Sequence, residues 1–345
     1  MTKRIFLGAL LALAIGACGD DDAPTPDGGS VDGGSVDSGP RPDGEVPDVD
    51  GGPPPVDQPL LQLGDGADPT DPSGIAIDPA SAEPADYSCF GMRTTPDNSG
   101  ADQEFTLEIK EFRTDEVIEG LCVKFYPDNT PVVGDTCDPD TDLVTDAMGR
   151  VTVTAPGGGW YAYRVFPKSG PSPSLTIDGS VQINETAPTS DASVEGNSIS
   201  AATLNLIPTV LGFRRAAGTA IVAGTVFDCN EDPVYGATIR IYREDGTEIA
   251  EGMRNDDPHY RYFDGGDFPS AVQPWSHVDG IFAVANIPVG SDGEFVFVEA
   301  WGKRTADGPL EIIACERMPV FGSTISIINL QPLRSDATGC PGLAD

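Results

Sequence analysis

The chain has only two histidines, His259 and His277. His259 opens the run HYRYF at 259–263, with Tyr260 beside it and Tyr242 upstream, which brings imidazole and phenol side chains into one part of the sequence. A zinc peptidase would need H-E-x-x-H and a serine hydrolase G-x-S-x-G, and neither motif occurs. DPDTD at 138–142 sets Asp138, Asp140 and Asp142 at alternate positions, as the start of a calcium loop does. The sixth position is Leu143 where such a loop needs Gly, and the twelfth is Gly149 in place of Glu, so a solvated acidic turn is the simpler reading. Trp160, Trp275 and Trp301 offer flat apolar faces of the kind that meet sugars. Trp160 and Trp301 lie in alternating runs and are expected in a core, which leaves Trp275, in the loop SAVQPWSHVDG, as the exposed contact.

Composition sets limits on these chemistries. The 345 residues carry 55 acidic and 20 basic side chains, a formal net charge of −35. A chain this acidic lacks the positive face that nucleic acid or anionic lipid requires, and its charge suits solubility or weak binding of divalent cations. With 41 Gly and 32 Pro, about a fifth of the chain breaks or turns regular structure.

The first residues, MTKRIFLGALLALAIGAC, place Lys3 and Arg4 before an apolar run from Ile5 to Ile15 and then small residues. That is the layout of a secretory signal peptide over 1–17. A spanning helix would need about 20 apolar residues, and Asp20, Asp21 and Asp22 end the run too early. From residue 18 to 85 no hydrophobic period is found, and stretches such as DGGSVDGGSVDSGPRPDG hold few large apolar residues. Such a segment buries too little to offset its ordering entropy and is expected to be a disordered acidic tether. As a flexible coil it would span on the order of 45 Å.

From residue 86 the texture changes. FTLEIKEF, LCVKFY, RVTVTA, WYAYRVF, SLTIDGSVQI and ISAATLNLI follow one another with apolar residues mostly at every second position and turn residues between them. This is the signature of half-buried strands in an all-β sandwich, with a first domain at 86–215. The stretch 207–218 is the one candidate short helix, placed at the joint. A second domain at 216–345 repeats the order: TAIVAGTVFD, ATIRIYRED, GIFAVANIPVG, EFVFVEAWG, LEIIACERM and STISIINLQPL. TDAMGRVTVTAPGGG in the first half matches SHVDGIFAVANIPVG in the second.

Resemblances sharpen these expectations. Ile15-Gly16-Ala17-Cys18 resembles the lipobox of bacterial lipoproteins, with Ile where Leu is commonest. The resemblance implies cleavage before Cys18, lipidation of its thiol and, with Gly19 following, an outer-membrane address in the cell envelope. GTVFDCNEDPVYGATIRIYREDG with VDGIFAVANIPVG is similar to the carboxypeptidase regulatory-like, or transthyretin-like, β-sandwich, and EGLCVKFYPDN with VTDAMGRVTVTAPGGGWYAYRVFP resembles a second copy. More loosely, YSCFG at 87–91 and the Asp-rich linker are similar to surface lipoproteins of the myxobacterial type. The implied architecture is two antiparallel, transthyretin-like and Ig-like sandwiches after a disordered N-terminal linker. The implied role is a non-enzymatic binding or structural module that needs no cofactor. Its partners would be the membrane, through lipid, and an envelope protein or polysaccharide, with no nucleic acid. Intradiol dioxygenases use a related sandwich and two Tyr and two His on iron, but their paired histidines, one residue apart after a strand, are missing here. An enzyme of that type and a calcium-dependent adhesin are the alternatives.

With Cys18 set aside, six cysteines remain: Cys89, Cys122, Cys137, Cys229, Cys315 and Cys340. In an exported chain they read as disulfides, and with no C-x-x-C zinc is not expected. Cys122 and Cys137 flank one strand–loop–strand unit and are paired first. Cys229 with Cys315, and Cys89 with Cys340, complete the expected set.

Overall fold

Where apolar and polar residues alternate, strands form with one face inward. Phe105, Leu107 and Ile109 are buried while Glu104 and its alternate neighbours Thr106 and Glu108 stand on the outer face. The protein is described from a computed structural model covering residues 57–343 other than Gly212 and Asp267. The expected signal peptide, the expected lipid site at Cys18 and the greater part of the expected tether lie outside the described residues.

The strands are β1 (Gln62–Leu63), β2 (Glu83–Pro84), β3 (Asp102–Glu111), β4 (Cys122–Tyr126), β5 (Leu143–Val144), β6 (Arg150–Pro156), β7 (Trp160–Val165), β8 (Ile177–Thr186) and β9 (Ser193–Ser200). After helix α1 (Ala201–Val210) come β10 (Ala220–Val226), β11 (Thr238–Arg243), β12 (His259–Phe263), β13 (Pro269–Ser270), β14 (Ile281–Ile287), β15 (Glu294–Gly302), β16 (Glu311–Val320) and β17 (Thr324–Leu330). Among the described residues no helix is long and apolar enough to cross a membrane.

The fold is all-β and its pairing pattern repeats. In the first half β3 pairs antiparallel with β6 and parallel with β9, and β7 pairs antiparallel with β4 and β8. In the second half β10 pairs antiparallel with β14 and parallel with β17, and β15 pairs antiparallel with β11 and β16. Each set closes a sandwich on its own apolar core. Phe105, Leu107, Val123, Val153 and Tyr161 belong to the first, and Val222, Ile239, Phe282, Val298 and Ile328 to the second, whose cluster also takes in Tyr126, Ala162, Val181 and Ile183 of the first half. The sandwiches are therefore not purely antiparallel, because the last strand of each returns beside the first in the same direction. A third parallel pair, β8 with β17, runs from Thr324↔Gly179 to Ile328↔Ile183 and carries one sheet from the first sandwich into the second.

The repeat reaches single hydrogen bonds. Ile109 N donates to Gly149 O at 2.8 Å, and Val226 N donates to Gly280 O at 3.0 Å. Gly149 (φ 72°) and Gly280 (φ 63°) both sit in the left-handed region, where a Cβ would stand 2.7 Å from Ile109 O and 2.6 Å from Val226 O. Four residues before each glycine is a buried hydroxyl. Thr145 Oγ1 donates to Ile118 O (2.7 Å) and accepts from Leu121 N (2.8 Å). Ser276 Oγ donates to Val234 O (2.6 Å) and accepts from Ala237 N (2.9 Å).

Three expectations are corrected. The tether expected to run to residue 85 ends earlier, because residues 58–85 are built onto the second sandwich. Leu61 is buried in its core, Leu61 N donates to Lys303 O, and Gln62 pairs with Tyr235. The segment has no hydrophobic period because single anchors and side-chain turns fix it, Asp68 and Asp71 each bonding backbone amides two residues on. The helix begins at Ala201, inside the run ISAATLNLI taken as a strand. Ser200 caps it through Oγ, accepting from Thr203 N at 3.2 Å, and Glu111 Oε1 accepts from Ser200 N and Thr203 Oγ1. Finally, Cys122 is bonded to Cys137, but the other cysteines pair as Cys89–Cys229 and Cys315–Cys340, not Cys229–Cys315 and Cys89–Cys340. The ordered strap carries Cys89 to Cys229, and the C-terminal tail folds back over β16 to bring Cys340 to Cys315.

Candidate functional site

The iron-type residues do not converge. On β12 successive side chains alternate between faces, so His259 and Tyr260 point to opposite sides of the sheet. His259 is stacked on Phe213 with ring centroids 4.4 Å apart, and its Nδ1 lies 3.3 Å from an Arg261 Nη2. Tyr260 points into the core, where its hydroxyl donates to Ile249 O (2.5 Å) and accepts from Ile241 N (3.3 Å). Its neighbour Tyr262 accepts from Ile239 N at 2.8 Å. Burial pushes both phenols far above the usual tyrosine range, which keeps them neutral donors rather than phenolate ligands. His277 is fully buried in another cluster, edge-on to Tyr235, with Nε2 3.4 Å from Ala76 O. Burial lowers its pKa and holds it neutral. Tyr242 belongs to the cluster around Cys315 and Cys340 on the other sheet.

The acidic loop is internally occupied. Asp142 Oδ2 accepts from Asp138 N (2.8 Å), Asp138 Oδ1 accepts from Asp140 N (3.1 Å), and Asp142 Oδ1 pairs with Lys124 Nζ at 3.0 Å. Those bonds hold the Asp142 carboxyl below its ordinary range, the Asp138 amide first and Lys124 second. Among the described residues the only tight group of three potential metal ligands is Cys122, Cys137 and Asp142, and its two thiols are spent in a disulfide.

The tryptophans are also placed differently from expectation. Trp275 is only 6 % exposed and packs with Ile77 and Tyr235, because the ordered strap lies over the loop that carries it. Trp301 donates through Nε1 to Glu299 (3.0 Å) under the guanidinium of Arg240, and Trp160 is faced by Arg334.

Two kinds of functional residue escaped sequence reasoning. One is the cross-bracing between sandwiches. Arg334 makes a two-pronged ion pair with the buried Glu316 of β16 while its guanidinium lies 4.8 Å from the Trp160 ring on β7. Arg164 of β7 lies 3.6 Å over the Phe321 ring; within the first half, Arg215, after α1, pairs with Asp178 of β8 at 2.8 Å. Burial raises the pKa of Glu316 despite the Arg334 guanidinium beside it. The other is an open side on the first sandwich. A groove of about 590 Å³ lies between β4 and β6, lined by Glu104, Lys124, Phe125, Asp142, Thr152 and Thr154. Beneath α1 there is only an apolar recess of about 40 Å³ under Leu204, Leu211 and Phe213, with room for no more than a few atoms.

No family model and no curated protein matches the chain. Solved structures are similar over part of it. Shaft pilin SpaA from Lactobacillus rhamnosus GG is 13 % identical over 67 % of this chain and 98 % of that one, with a TM-score of 0.20. A streptococcal ancillary pilin is 12 % identical over 68 % and 63 %, with a TM-score of 0.19. The major pilin subunit of Bacillus cereus is 8 % identical over 66 % and 99 %, at 0.19. These scores are too low to carry either fold or function across.

Proposed function

We propose that this protein is an exported, lipid-anchored, non-catalytic module of the cell envelope, in which two transthyretin-like sandwiches act as one rigid binding or spacing body. The observation that carries the reading is the continuous sheet through β8 and β17, with Arg334 of the second half set against the Trp160 ring of the first and Arg164 of the first over the Phe321 ring of the second. Two sandwiches joined by a free linker would reorient; a shared sheet holds their relative placement. Three disulfides fit an oxidising compartment, and the cysteine left over is the one in the lipobox-like run. Sandwich side chains with chemical potential are committed to packing: His259 to Phe213, Tyr260 and Tyr262 to β11, and Asp142 to Lys124.

The test is palmitate labelling and detergent-phase partition of the full chain in a bacterial host that processes lipoproteins. The wild type is expected to take up label and enter the detergent phase, and Cys18→Ala to do neither. An unlabelled wild type in the aqueous phase overturns the anchor. Metal analysis of the purified protein tests the non-catalytic half: stoichiometric iron with visible tyrosinate absorbance overturns it.

A further inference from the structure

The two sandwiches follow one plan and differ in the strands inserted into it: β5 on β4 in the first, β12 and β13 beside β14 in the second. In the second, β14 lies between β10 and β12. In the first, its counterpart β6 is paired with β3 alone. The matching bonds from Ile109 to Gly149 and from Val226 to Gly280 align the copies residue by residue, so Thr152 and Thr154 correspond to Ala283 and Ala285. Those alanines pair with Arg261 and His259 of β12. The register with β3 bonds Val151 and Val153 to that strand, which turns the N–H and C=O of Thr152 and Thr154 to the open side. In the second sandwich the inward residues of β12, Tyr260 and Tyr262, fill the space between sheets and bond the Ile241 and Ile239 amides of β11. The corresponding space in the first is the groove of about 590 Å³ over the half-buried Phe125.

We propose that β6 is a docking edge for an extended segment of a partner protein. The segment pairs antiparallel with Arg150–Pro156, presents large apolar or aromatic side chains at two alternate positions opposite Val151 and Val153, and carries basic residues. β12 is the template for that chemistry within the same chain. Exposed edges are ordinarily guarded by lysine, proline or a bulge. β6 has a proline only at its end, no lysine, and an arginine held by Glu108 at 2.7 Å. The occupant is not the protein's own tether, since residues 18–56 contain no aromatic side chain, no Leu, Ile or Met, and Arg41 as their one basic residue. Nor is it a second copy, because pairing two chains of net charge −35 is opposed by repulsion. The groove's own charges are acidic in balance, Glu104, Asp135 and Asp142 against Lys124, which selects a basic segment. The proposal rests on the binding-module reading, but needs neither the lipid nor the membrane address.

The probe is the synthetic peptide acetyl-Lys-Lys-His-Tyr-Arg-Tyr-Phe-amide, added to the purified full chain. Amide exchange at Thr152 and Thr154 is expected to slow at least tenfold at saturation, with Thr225 in the interior strand β10 unchanged. The same peptide N-methylated at His and Arg, which removes the strand-pairing donors and leaves the protein untouched, is expected to lose that protection. Thr154→Pro should weaken binding at least tenfold. No protection by the first peptide, or equal protection by the methylated one, overturns the proposal. So does a dimer in sedimentation equilibrium with both amides protected before peptide is added, which would make a second copy the occupant. Failure of lipid labelling leaves this result standing, and failure here leaves the anchor standing.

Discussion

Replacing Thr145 by valine removes one oxygen from the core and little else. The side chain is 2 % exposed, and valine keeps its shape. Its hydroxyl serves two backbone groups, Leu121 N at 2.8 Å and Ile118 O at 2.7 Å, at the point where the chain turns into β4. Leu121 is itself fully buried, so its N–H finds no water once the hydroxyl is gone. A buried donor left unpaired costs about 1–3 kcal/mol, and the carbonyl, with a second lone pair, adds less. The sum expected for Thr145→Val is about 2–4 kcal/mol. For a body of this size each kcal/mol moves the midpoint by about 2–4 °C, so the melting temperature should fall by roughly 5–15 °C. Thr145→Ser keeps both bonds and loses one methyl, which is worth about 1 kcal/mol. Ser276→Ala, at 0 % exposure, should match the valine variant, since Ala237 N and Val234 O depend on Ser276 in the same way. Urea unfolding with an unchanged slope, read alongside the thermal midpoint, is the assay. If Thr145→Val costs no more than Thr145→Ser, the hydroxyl is not what ties the turn, and the equivalence of the two copies at this site fails with it.

Three further outcomes follow from other parts of the body. Gly149→Ala should destabilise by more than 1 kcal/mol in the same unfolding assay, since it forces a side chain into the left-handed region with its Cβ 2.7 Å from Ile109 O. Asp71 accepts from Ser73 Oγ (2.6 Å), Ala76 N (2.9 Å), Ser73 N (2.9 Å) and Ile75 N (3.1 Å), which hold its carboxyl at about 2, below the ordinary 3.8. Its contribution is therefore present above about pH 4 and lost as pH falls through 2; exchange at the Ile75 and Ala76 amides, corrected for intrinsic rate, should rise over that window and become flat in Asp71→Asn. Cys89→Ser with Cys229→Ser opens a loop of 140 residues and should cost roughly 5 kcal/mol in the chain-entropy account, against about 3 kcal/mol for opening the 15-residue loop at Cys122–Cys137; equal losses in paired urea titrations would refute the loop-length argument.

The parts legible in the sequence are those written by short-range physics. Phe105, Leu107 and Ile109 alternate because one face of β3 is buried, and Gly149 and Gly280 stand at equal places because one turn needs a positive φ in each copy. Cys122–Cys137 is local for the same reason. The rest depends on chain segments that meet from far away. Nothing near Cys89 announces Cys229, because the strap that joins them is ordered by Leu61 and Ile77, two anchors too widely spaced to form a period. Trp275 looked exposed because the strap that buries it lies some two hundred residues upstream. The run ISAATLNLI read as a strand because its β-branched and apolar residues fit either period; what decides for a helix after Ser200 is the distant Glu111 carboxylate. The open edge at β6 left one trace, a shorter connection between β4 and β6 than between β11 and β14, where the second copy inserts HYRYF.

That difference in cladding explains where binding can occur. The second sandwich carries the added cladding: β12 and β13 extend its sheet, the strap covers the loop with Trp275, and the tail is tied down by Cys315–Cys340 and by Gly342 N on Glu299. The strap also begins there, Gln58 Nε2 donating to Gly236 O (2.7 Å) and Trp301 O (2.8 Å). The start of the strap is thus fastened to the clad copy, which is joined to the first through β8 and β17 and through Arg334 against the Trp160 ring. Among the described residues, the first copy is left with β6 paired on one side only. An edge that the strap, β12 and the tail all leave uncovered is placed to meet a partner without displacing any of them.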